Sequence, residues 1–344
     1  MNEEKRPTVA DVAARAKVSI GTVSNVLNGV IPVSAKTRQR VTDAIEELDF
    51  RQNMLAQGLR SKRSPIVGLC VPHTSITYFS ELVDAFEEVA SGNNFALMQV
   101  LSRQDPEKEY QRVESLLNYR VGGLILVPTM TPDATYDMIR RSGVPTVVVD
   151  RAPEGDFSFD RVTFDNHAAM RKAGEGLIRR GHKNILFVVH QSKLNVTVQR
   201  IAGLKEAAEA ASVKVNTSVI ECADQSALTT KLAVELRKAG GPTAVIVSNS
   251  KLASWLYRAL RALNISCPED VSIVAFDAPE WADIVTPSLS VVCQPTREIA
   301  IMAWRFLLNR LNDEEAEPQE IQLQAEIIFR DSVRDYGPLG VSSR

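Results

Sequence analysis

The stretch TVADVAARAKVSIGTVSNVLNG, from Thr8 to Gly29, decides how the first domain of this chain folds. Thr8 is a good N-cap for a helix over Val9–Ala16, in which apolar residues recur on one face. A short turn follows, and Ser19 is placed to cap a second helix that runs through Leu27. The pattern predicts two short amphipathic helices joined by a tight turn.

A third helix is predicted from Ala35 to Leu48, with Ser34 as its cap. Three helices of this length can close only a small core. Such a trio is typical of a helix-turn-helix, whose second helix enters the major groove of DNA and touches base edges. The alternative that the pattern leaves open is a small three-helix bundle with solvated polar faces. The predicted second helix keeps five residues outward, which are Ile20, Gly21, Thr22, Ser24 and Asn25.

The charge of the chain is divided unevenly along its length. Residues 1–63 hold 11 Lys and Arg against 7 Asp and Glu, whereas the remainder holds 29 against 35. A basic amino-terminal segment on an acidic body suits a domain that binds nucleic acid. The length of 344 residues is enough for two or three domains.

Several classes of protein are disfavoured by what the sequence lacks. No run approaches the roughly 18 apolar residues that span a membrane, and no apolar signal region follows the charged start, so we expect a cytoplasmic protein with no membrane partner. The segment GEGLIRRG (Gly174 to Gly181) places its glycines in a predicted helix rather than after a strand, which argues against dinucleotide binding. There is no P-loop and no GxSxG motif, so no enzyme is indicated. No metal or cofactor is expected either, because four isolated cysteines form no metal-ligand spacing: Cys70, Cys222, Cys267 and Cys293.

From Pro65 onward, short apolar runs alternate with amphipathic segments. IVGLCVP, FALMQVL, GGLILVP and PTVVVD are predicted strands, and the alternation restarts after Asp165 with NILFVV, SVIEC, AVIVS and VSIVAF. Near-continuous Val, Ile and Leu runs of this kind indicate parallel sheets covered by helices on both faces. The sequence therefore predicts an α/β body of two doubly wound lobes, with a ligand cleft near the carboxyl ends of the strands.

Residues 8–63 resemble the DNA-binding head and hinge of the lactose-repressor (LacI/GalR) family of bacterial transcription regulators. The matching strings are TVADVA, VSIGTVSNVLNG, VSAKTR and NMLAQGLRS, and the body resembles the same family in strings such as RIAGLKEA and PEDVSIVAFD. The resemblance implies a small all-α helix-turn-helix head over 1–50, a hinge over 51–64, and a periplasmic-binding-protein-like α/β core over 65–344.

In such a core the chain crosses between the lobes three times. The matching crossings lie near Phe164, Cys293 and Glu326. The first lobe would then hold about 65–163 and 293–325, and the second about 164–292 and 326–344. The family resemblance further implies a side-by-side homodimer.

The same resemblance implies which residues meet DNA. Base-reading positions fall on Ile20, Gly21 and Asn25, and phosphate-contacting or capping positions fall on polar residues around the three helices. Asn25 stands where many members have arginine, which favours adenine over guanine as the base that is read. Leu59 matches the hinge leucine that wedges into the minor groove, and Gln52 replaces the usual proline before the hinge. The predicted DNA contacts are Thr8, Ser19, Ile20, Gly21, Thr22, Ser24, Asn25, Asn28, Ser34, Thr37, Asn53, Ala56 and Leu59.

Polar and aromatic residues that follow the predicted strands are candidates for ligand contacts. Aromatic faces stack on sugar C–H groups, while Asp, Asn and Arg pair with hydroxyls, so a sugar, polyol or sugar acid is the expected effector. By resemblance, Arg200 and Asp277 occupy the effector-anchoring positions. Asp150 and Asp277 are also compatible with a turn-capping role, and Trp281 with an ordinary loop position. The predicted effector contacts are Tyr78, Phe79, Asp150, Arg200, Asn249, Asp277 and Trp281.

These features together predict a dimeric, sequence-specific DNA-binding transcription regulator, most simply a repressor. Its partners would be a pseudo-palindromic operator in double-stranded DNA and a small-molecule effector that changes operator affinity. The alternative is a solute-binding receptor with no DNA role, which leaves residues 1–63 unexplained.

Overall fold

The computed structural model of the chain describes residues 7–28, 32–50, 64–152, 158–312 and 317–337. The chain divides into two compact units, Met1–Pro65 and Ile66–Arg344. The hinge contacts predicted at Asn53, Ala56 and Leu59 lie outside the described residues. Among the helices in these ranges, none is long and apolar enough to cross a membrane.

Within residues 7–28 and 32–50, the first unit contains three helices, α1 (Val9–Ala16), α2 (Ile20–Asn28) and α3 (Ala35–Glu47). Thr8 begins α1 with a capping box, since its backbone N–H donates to the Asp11 carboxylate over 2.8 Å while its hydroxyl accepts from the Asp11 N–H. The third helix ends at Glu47, one residue earlier than the pattern predicts, and Leu48 is its C-cap. Local capping chemistry therefore sets where these helices begin.

A small apolar core holds the three helices together. Val12, Val23 and Val41 contribute one fully buried side chain from each helix. Arg40 on α3 donates to the carbonyl oxygens of Ala16 and Lys17, the latter over 3.0 Å, at the point where α1 ends. This contact satisfies carbonyls that a helix C-terminus leaves unpaired. It also holds the turn between α1 and α2 in place.

In the part of the second unit that the structure describes, the strands form two six-stranded sheets, and we call the regions built on them lobe 1 and lobe 2. Lobe 1 has the order β11-β5-β4-β3-β1-β2, and all five of its strand pairings are parallel. Its strands are β1 (Ile66–Val71), β2 (Ala96–Leu101), β3 (Gly123–Leu126), β4 (Thr146–Asp150), β5 (Asp160–Phe164) and β11 (Glu320–Leu323). Lobe 2 has the order β12-β10-β9-β8-β6-β7, with β12 antiparallel to β10. Its strands are β6 (Asn184–Val189), β7 (Asn216–Glu221), β8 (Ala244–Val247), β9 (Ser272–Phe276), β10 (Ser290–Cys293) and β12 (Glu326–Ile328).

Helices cover both faces of each sheet, as the continuous apolar strands predict. In β1, Leu69 points into a core shared with one pair of helices, whereas the next residue, Cys70, points into the core on the opposite face. The helices of lobe 1 are α4 (Thr77–Gly92), α5 (Pro106–Asn118), α6 (Asp133–Ser142) and α11 (Thr296–Asn312). Those of lobe 2 are α7 (Asn166–Arg179), α8 (Asn195–Glu209), α9 (Gln225–Leu236) and α10 (Ser250–Leu263), followed by a 3-10 turn over Glu280–Ala282.

Along its described strands and helices, the chain passes between the lobes three times. It leaves lobe 1 between β5 and α7, returns between β10 and α11, and leaves again between β11 and β12. Asp160 fixes the last lobe 1 strand, because its carboxylate accepts from the Arg310 guanidinium over 2.8 Å and from the Gln319 N–H over 2.7 Å. Because β11 pairs with β5, the first and third crossings leave neighbouring strands of the lobe 1 sheet. Because β12 pairs with β10, the second and third crossings adjoin neighbouring strands of the lobe 2 sheet.

The GEG stretch that superficially resembles a nucleotide motif is a packing feature. Gly174 and Gly176 lie within α7, and a Cβ on Gly176 would come within 2.3 Å of the Phe329 ring. On the facing helix α8, a Cβ on Gly203 would lie 2.2 Å from the His167 carbonyl oxygen. Gly174 and Gly203 thus let α7 and α8 approach closely, and Gly176 leaves room for Phe329, so packing accounts for the motif.

Candidate functional site

The second helix of the head presents a side-chain surface that its own core does not use. Val23 is fully buried, whereas Ile20 is 49% exposed and Gly21 is exposed beside it. Thr22, Ser24 and Asn25 are half-buried on the same helix. An isoleucine left half in solvent at the start of a polar helix face is suited to apolar contact with a partner surface.

The polar residues predicted to meet phosphates lie at the amino ends of the three helices. The hydroxyl oxygen of Ser19 accepts from the Thr22 N–H over 3.1 Å, and that of Ser34 accepts from the Thr37 N–H over 3.3 Å. Thr8 has the equivalent position on α1. Helix amino ends concentrate unpaired N–H groups and partial positive charge, which favours contact with phosphate. Asn28 ends α2.

In the second unit, the buried Arg200 lies near three other predicted effector contacts, Tyr78, Asp150 and Asp277. The Arg200 Nε donates to Asn166 Oδ1 over 2.7 Å, and a terminal nitrogen donates to the Ser248 carbonyl oxygen over 2.9 Å. Its guanidinium carbon lies 3.7 Å from the centre of the Phe276 ring. Burial lowers the pKa of Arg200 to about 10, while the charges of Asp277 and Asp150 favour the protonated form. The side chain is thus a cation that is almost fully buried and held by two hydrogen bonds.

Asp277 follows strand β9 and is held in place by two neighbours. Its Oδ2 accepts from the Ser250 N–H over 2.8 Å, and its Oδ1 accepts from the Gln294 side-chain amide over 2.6 Å. Burial raises the pKa of Asp277, and the Ser250 N–H and the Arg200 charge oppose that rise. The backbone at Asp277 has a φ of 69°, a left-handed conformation that is uncommon for a residue other than glycine. Such strain is often found at ligand sites.

A second carboxylate ends strand β4 with similar geometry. Asp150 has a φ of 70° and accepts from the Arg151 Nε over 3.0 Å. Arg151 in turn donates to Gln104 Oε1 over 3.0 Å and lies 5.8 Å from the centre of the Phe79 ring. The Tyr78 hydroxyl is buried with no hydrogen bond of normal geometry; burial, reinforced by the nearby Asp150 carboxylate, raises its pKa.

The remaining two predicted contacts have roles in the framework. Asn249 caps α10, because its side-chain oxygen accepts from the Leu252 N–H over 2.9 Å. Trp281 is half-buried in the 3-10 turn and packs edge-on against Tyr257, with ring centres 6.0 Å apart. The structure therefore places four of the predicted residues close enough for their charges to influence one another: Tyr78, Asp150, Arg200 and Asp277. The Phe79 ring packs against the ring of Tyr78.

Basic residues from both lobes lie around this cleft. His73, Arg103 and Arg151 follow strands of lobe 1, and His190 and Lys251 lie at the corresponding edge of lobe 2. Burial, followed by the positive charges of Arg103, Lys251, His190 and Arg151, lowers the pKa of His73. The Lys251 amine lies 5.2 Å from the centre of the Trp255 ring, and the His190 ring lies 6.4 Å from the same ring. We call these five residues the basic rim.

Arg151, Asn166 and Gln294 bind predicted effector contacts but are themselves missing from the sequence prediction. Arg151 directly follows Asp150, and it could have been found by extending the search one residue past the strand end. Asn166 is the first residue of α7, just after the first lobe crossing, and Gln294 directly follows β10, a strand that is not among those predicted from the sequence. Their importance depends on contacts between residues far apart in sequence.

Comparison with known proteins covers both units. Residues 8–53 match the family profile described as "Bacterial regulatory proteins, lacI family", and residues 175–333 match a "Periplasmic binding protein-like domain". The chain is 31% identical over 330 residues to catabolite control protein A from Priestia megaterium, and the match covers 95% of this chain and 99% of that protein.

Solved structures are similar over nearly the whole chain. The transcriptional regulator CelR in complex with cellobiose has a TM-score of 0.69 at 28% identity, with 95% of this chain and 100% of that chain covered. The lac repressor dimer bound to operator and the anti-inducer ONPF has a TM-score of 0.82 at 24% identity, with 96% and 100% covered, which shows a shared fold.

Proposed function

We propose, on the premise that this chain belongs to the lacI family of bacterial regulatory proteins, that it is a homodimeric repressor of transcription controlled by a small molecule. The head, assigned to residues 1–50, binds operator DNA, and the core over 65–344 senses the ligand. The segment 51–64 joins them as a hinge. The protein is a DNA-binding regulator and not an enzyme, and such a regulator acts in the cytoplasm.

The observation that carries the DNA-binding role is the outward face of α2. The head closes its core with Val12, Val23 and Val41, so Ile20, Gly21 and Asn25 are available to face base edges. A Cβ added at Gly21 would have only the Ser19 hydroxyl within 4 Å, so the glycine keeps this part of α2 narrow where a groove wall would approach. Two such heads on one dimer would read a pseudo-palindromic operator.

The cleft supports a polyhydroxylated ligand. Asp150 is paired with Arg151, and Asp277 lies near Arg200, so the floor is close to electroneutral and rich in groups that pair with hydroxyls. The basic rim adds positive charge from Arg103 and Lys251 at the edges of both lobes. Among sugars, polyols and sugar acids, we therefore favour a sugar acid, because its carboxylate would interact with the rim.

The DNA-binding role is tested by selection from a pool of randomised duplexes with the full-length protein. The expected outcome is an enriched pseudo-palindrome, bound with an affinity that falls about a thousandfold or more between 50 and 200 mM salt. A matched chain with Asn25→Ala serves as the control for base reading. No sequence preference in any condition would favour the solute-receptor alternative.

The ligand class is tested by thermal shift with D-gluconate, D-glucose and D-sorbitol. These compounds share a six-carbon polyhydroxyl chain and differ in charge and ring closure. We expect D-gluconate to raise the melting temperature most, and Lys251→Ala to reduce that increase. A larger shift from D-glucose would support a neutral sugar instead, and the proposed regulatory role would stand.

A further inference from the structure

The first turn of α4 in lobe 1 takes its cap from lobe 2. The residue before this helix is Ile76, whose side chain makes no capping hydrogen bond. The N–H of Thr77, the first residue of α4, instead donates to the Ser250 hydroxyl oxygen over 3.1 Å. The amino end of a helix leaves several N–H groups without a partner within the helix. Because lobe 2 supplies the cap, the stability of the first turn of α4 depends on the position of lobe 2.

Ser250 is itself fixed by the cleft. It is the first residue of α10 and only 4% exposed, and its N–H donates to Asp277 Oδ2 over 2.8 Å. The other carboxylate oxygen of Asp277 accepts from Gln294, in the segment that returns the chain from β10 to α11. The Asp277 carboxyl therefore binds both Ser250 and the segment in which the chain returns to lobe 1.

The elements around this connection lie close together. Tyr78 and Phe79 immediately follow Thr77 on α4, so two predicted ligand contacts lie on the turn that Ser250 caps. Glu81, one helical turn further on, has a pKa raised to about 7 by burial and by the charges of Asp277, Glu280 and Asp84. Two of those carboxylates belong to lobe 2, which shows that α4 faces that lobe.

Building on the proposed function, we propose that Ser250 is a positioning residue that couples ligand binding at Asp277 to the arrangement of the two lobes. Three successive hydrogen bonds connect Gln294 to Asp277, Asp277 to Ser250, and Ser250 to the first N–H of α4. A ligand hydroxyl that bonds to Asp277 competes with the Ser250 N–H or the Gln294 amide for the same oxygens. Release of Ser250 removes the cap from α4, and the lobes are then free to adopt a second arrangement.

The first test is hydrogen exchange at the Thr77 amide in the full-length protein. Ser250→Ala removes the hydroxyl and leaves the N–H that bonds to Asp277. Loss of a helix cap is expected to speed exchange in the first turn of α4 about fivefold. The matched control is Ser254→Ala on the same helix, whose hydroxyl makes only a 3.4 Å contact to the Ser250 carbonyl oxygen. Unchanged exchange at β3 and β8 in both variants shows that the sheets stay folded.

The second test is affinity for a duplex selected with the wild-type protein. Ser250→Ala should change that affinity about fivefold, in either direction, while Ser254→Ala changes it less than twofold. If hydrogen exchange at Thr77 is unaltered in Ser250→Ala, Ser250 does not cap α4. If exchange is faster but the affinity for DNA is unaltered, the cap exists but does not couple ligand binding to the arrangement of the lobes. If the wild-type protein selects no duplex, the proposed function fails while the exchange result still decides whether the cap exists.

Discussion

Replacing the buried arginine of the cleft by lysine separates its charge from its geometry. Arg200→Lys keeps a cation near Asp277 and Asp150 but removes the planar fork that reaches two acceptors at once. The arginine donates to both Asn166 and the Ser248 carbonyl, 2.7 and 2.9 Å away, and stacks on Phe276. A lysine amine can reach only one of these acceptors from the same position.

The size of the expected loss follows from those contacts. One hydrogen bond from a charged donor contributes about 2 kcal/mol, and the stacked guanidinium adds about 1 kcal/mol over a less well fitted amine. The free energy of unfolding should therefore fall by about 3 kcal/mol, which for a domain of this size lowers the melting temperature by roughly 6–10 °C. The response to ligand should be lost as well if Arg200 anchors the effector as proposed, because lysine does not keep the geometry of the guanidinium.

The assay is thermal unfolding followed by far-UV circular dichroism, with and without D-gluconate. Arg237→Lys is the matched control, because Arg237 is exposed on the same lobe. That control should stay within about 0.5 kcal/mol of the wild type. Equal melting temperatures for the two variants would show that Arg200 acts only through its charge, and the role of its planar fork would be refuted.

Three further predictions concern the head, the hinge and the cleft. Asn25→Ala should relax sequence preference at one position of each operator half-site by about 1–3 kcal/mol, and an unchanged selected profile would rule out base reading by Asn25. Leu59→Ala should weaken binding to the selected operator more than binding to random DNA, whereas equal losses would count against a minor-groove wedge. Glu81 has a raised pKa in the folded protein, so it retains its proton at pH values where the unfolded chain has lost it, and the stability it contributes is lost as the pH rises from about 4.5 towards about 7. Glu81→Gln should therefore gain stability relative to the wild type across that interval in urea unfolding, and parallel pH profiles for the two proteins would disprove this assignment.

The helices of the head were predictable because capping residues close in sequence determine where each helix begins. Thr8, Ser19 and Ser34 each carry a hydroxyl that accepts an N–H three residues on, and this local chemistry needs no tertiary context. The alternation of apolar strands and helices in the core was equally visible, because strands buried on both faces require continuous apolar runs. Both features are shared with the solved structures of similar proteins.

Short strands at the sheet edges were harder to predict. The strand β11 spans only Glu320–Leu323, and its alternating polar residues give no continuous apolar run. It is fixed by pairing with β5 and by the contact between Asp160 and the Gln319 N–H, both of which depend on residues about 160 positions away. The cleft partners Asn166 and Gln294 escaped prediction for the same reason.

The threefold passage of the chain between the lobes has a consequence for synthesis. Lobe 1 needs α11 and β11, which follow almost all of lobe 2 in the sequence, and lobe 2 is completed only by β12 near the end. Neither lobe can therefore finish folding as an independent unit while the ribosome is still translating the other. A chain that stops before Glu320 would lack both β11 and β12, so both of its lobes would be incomplete.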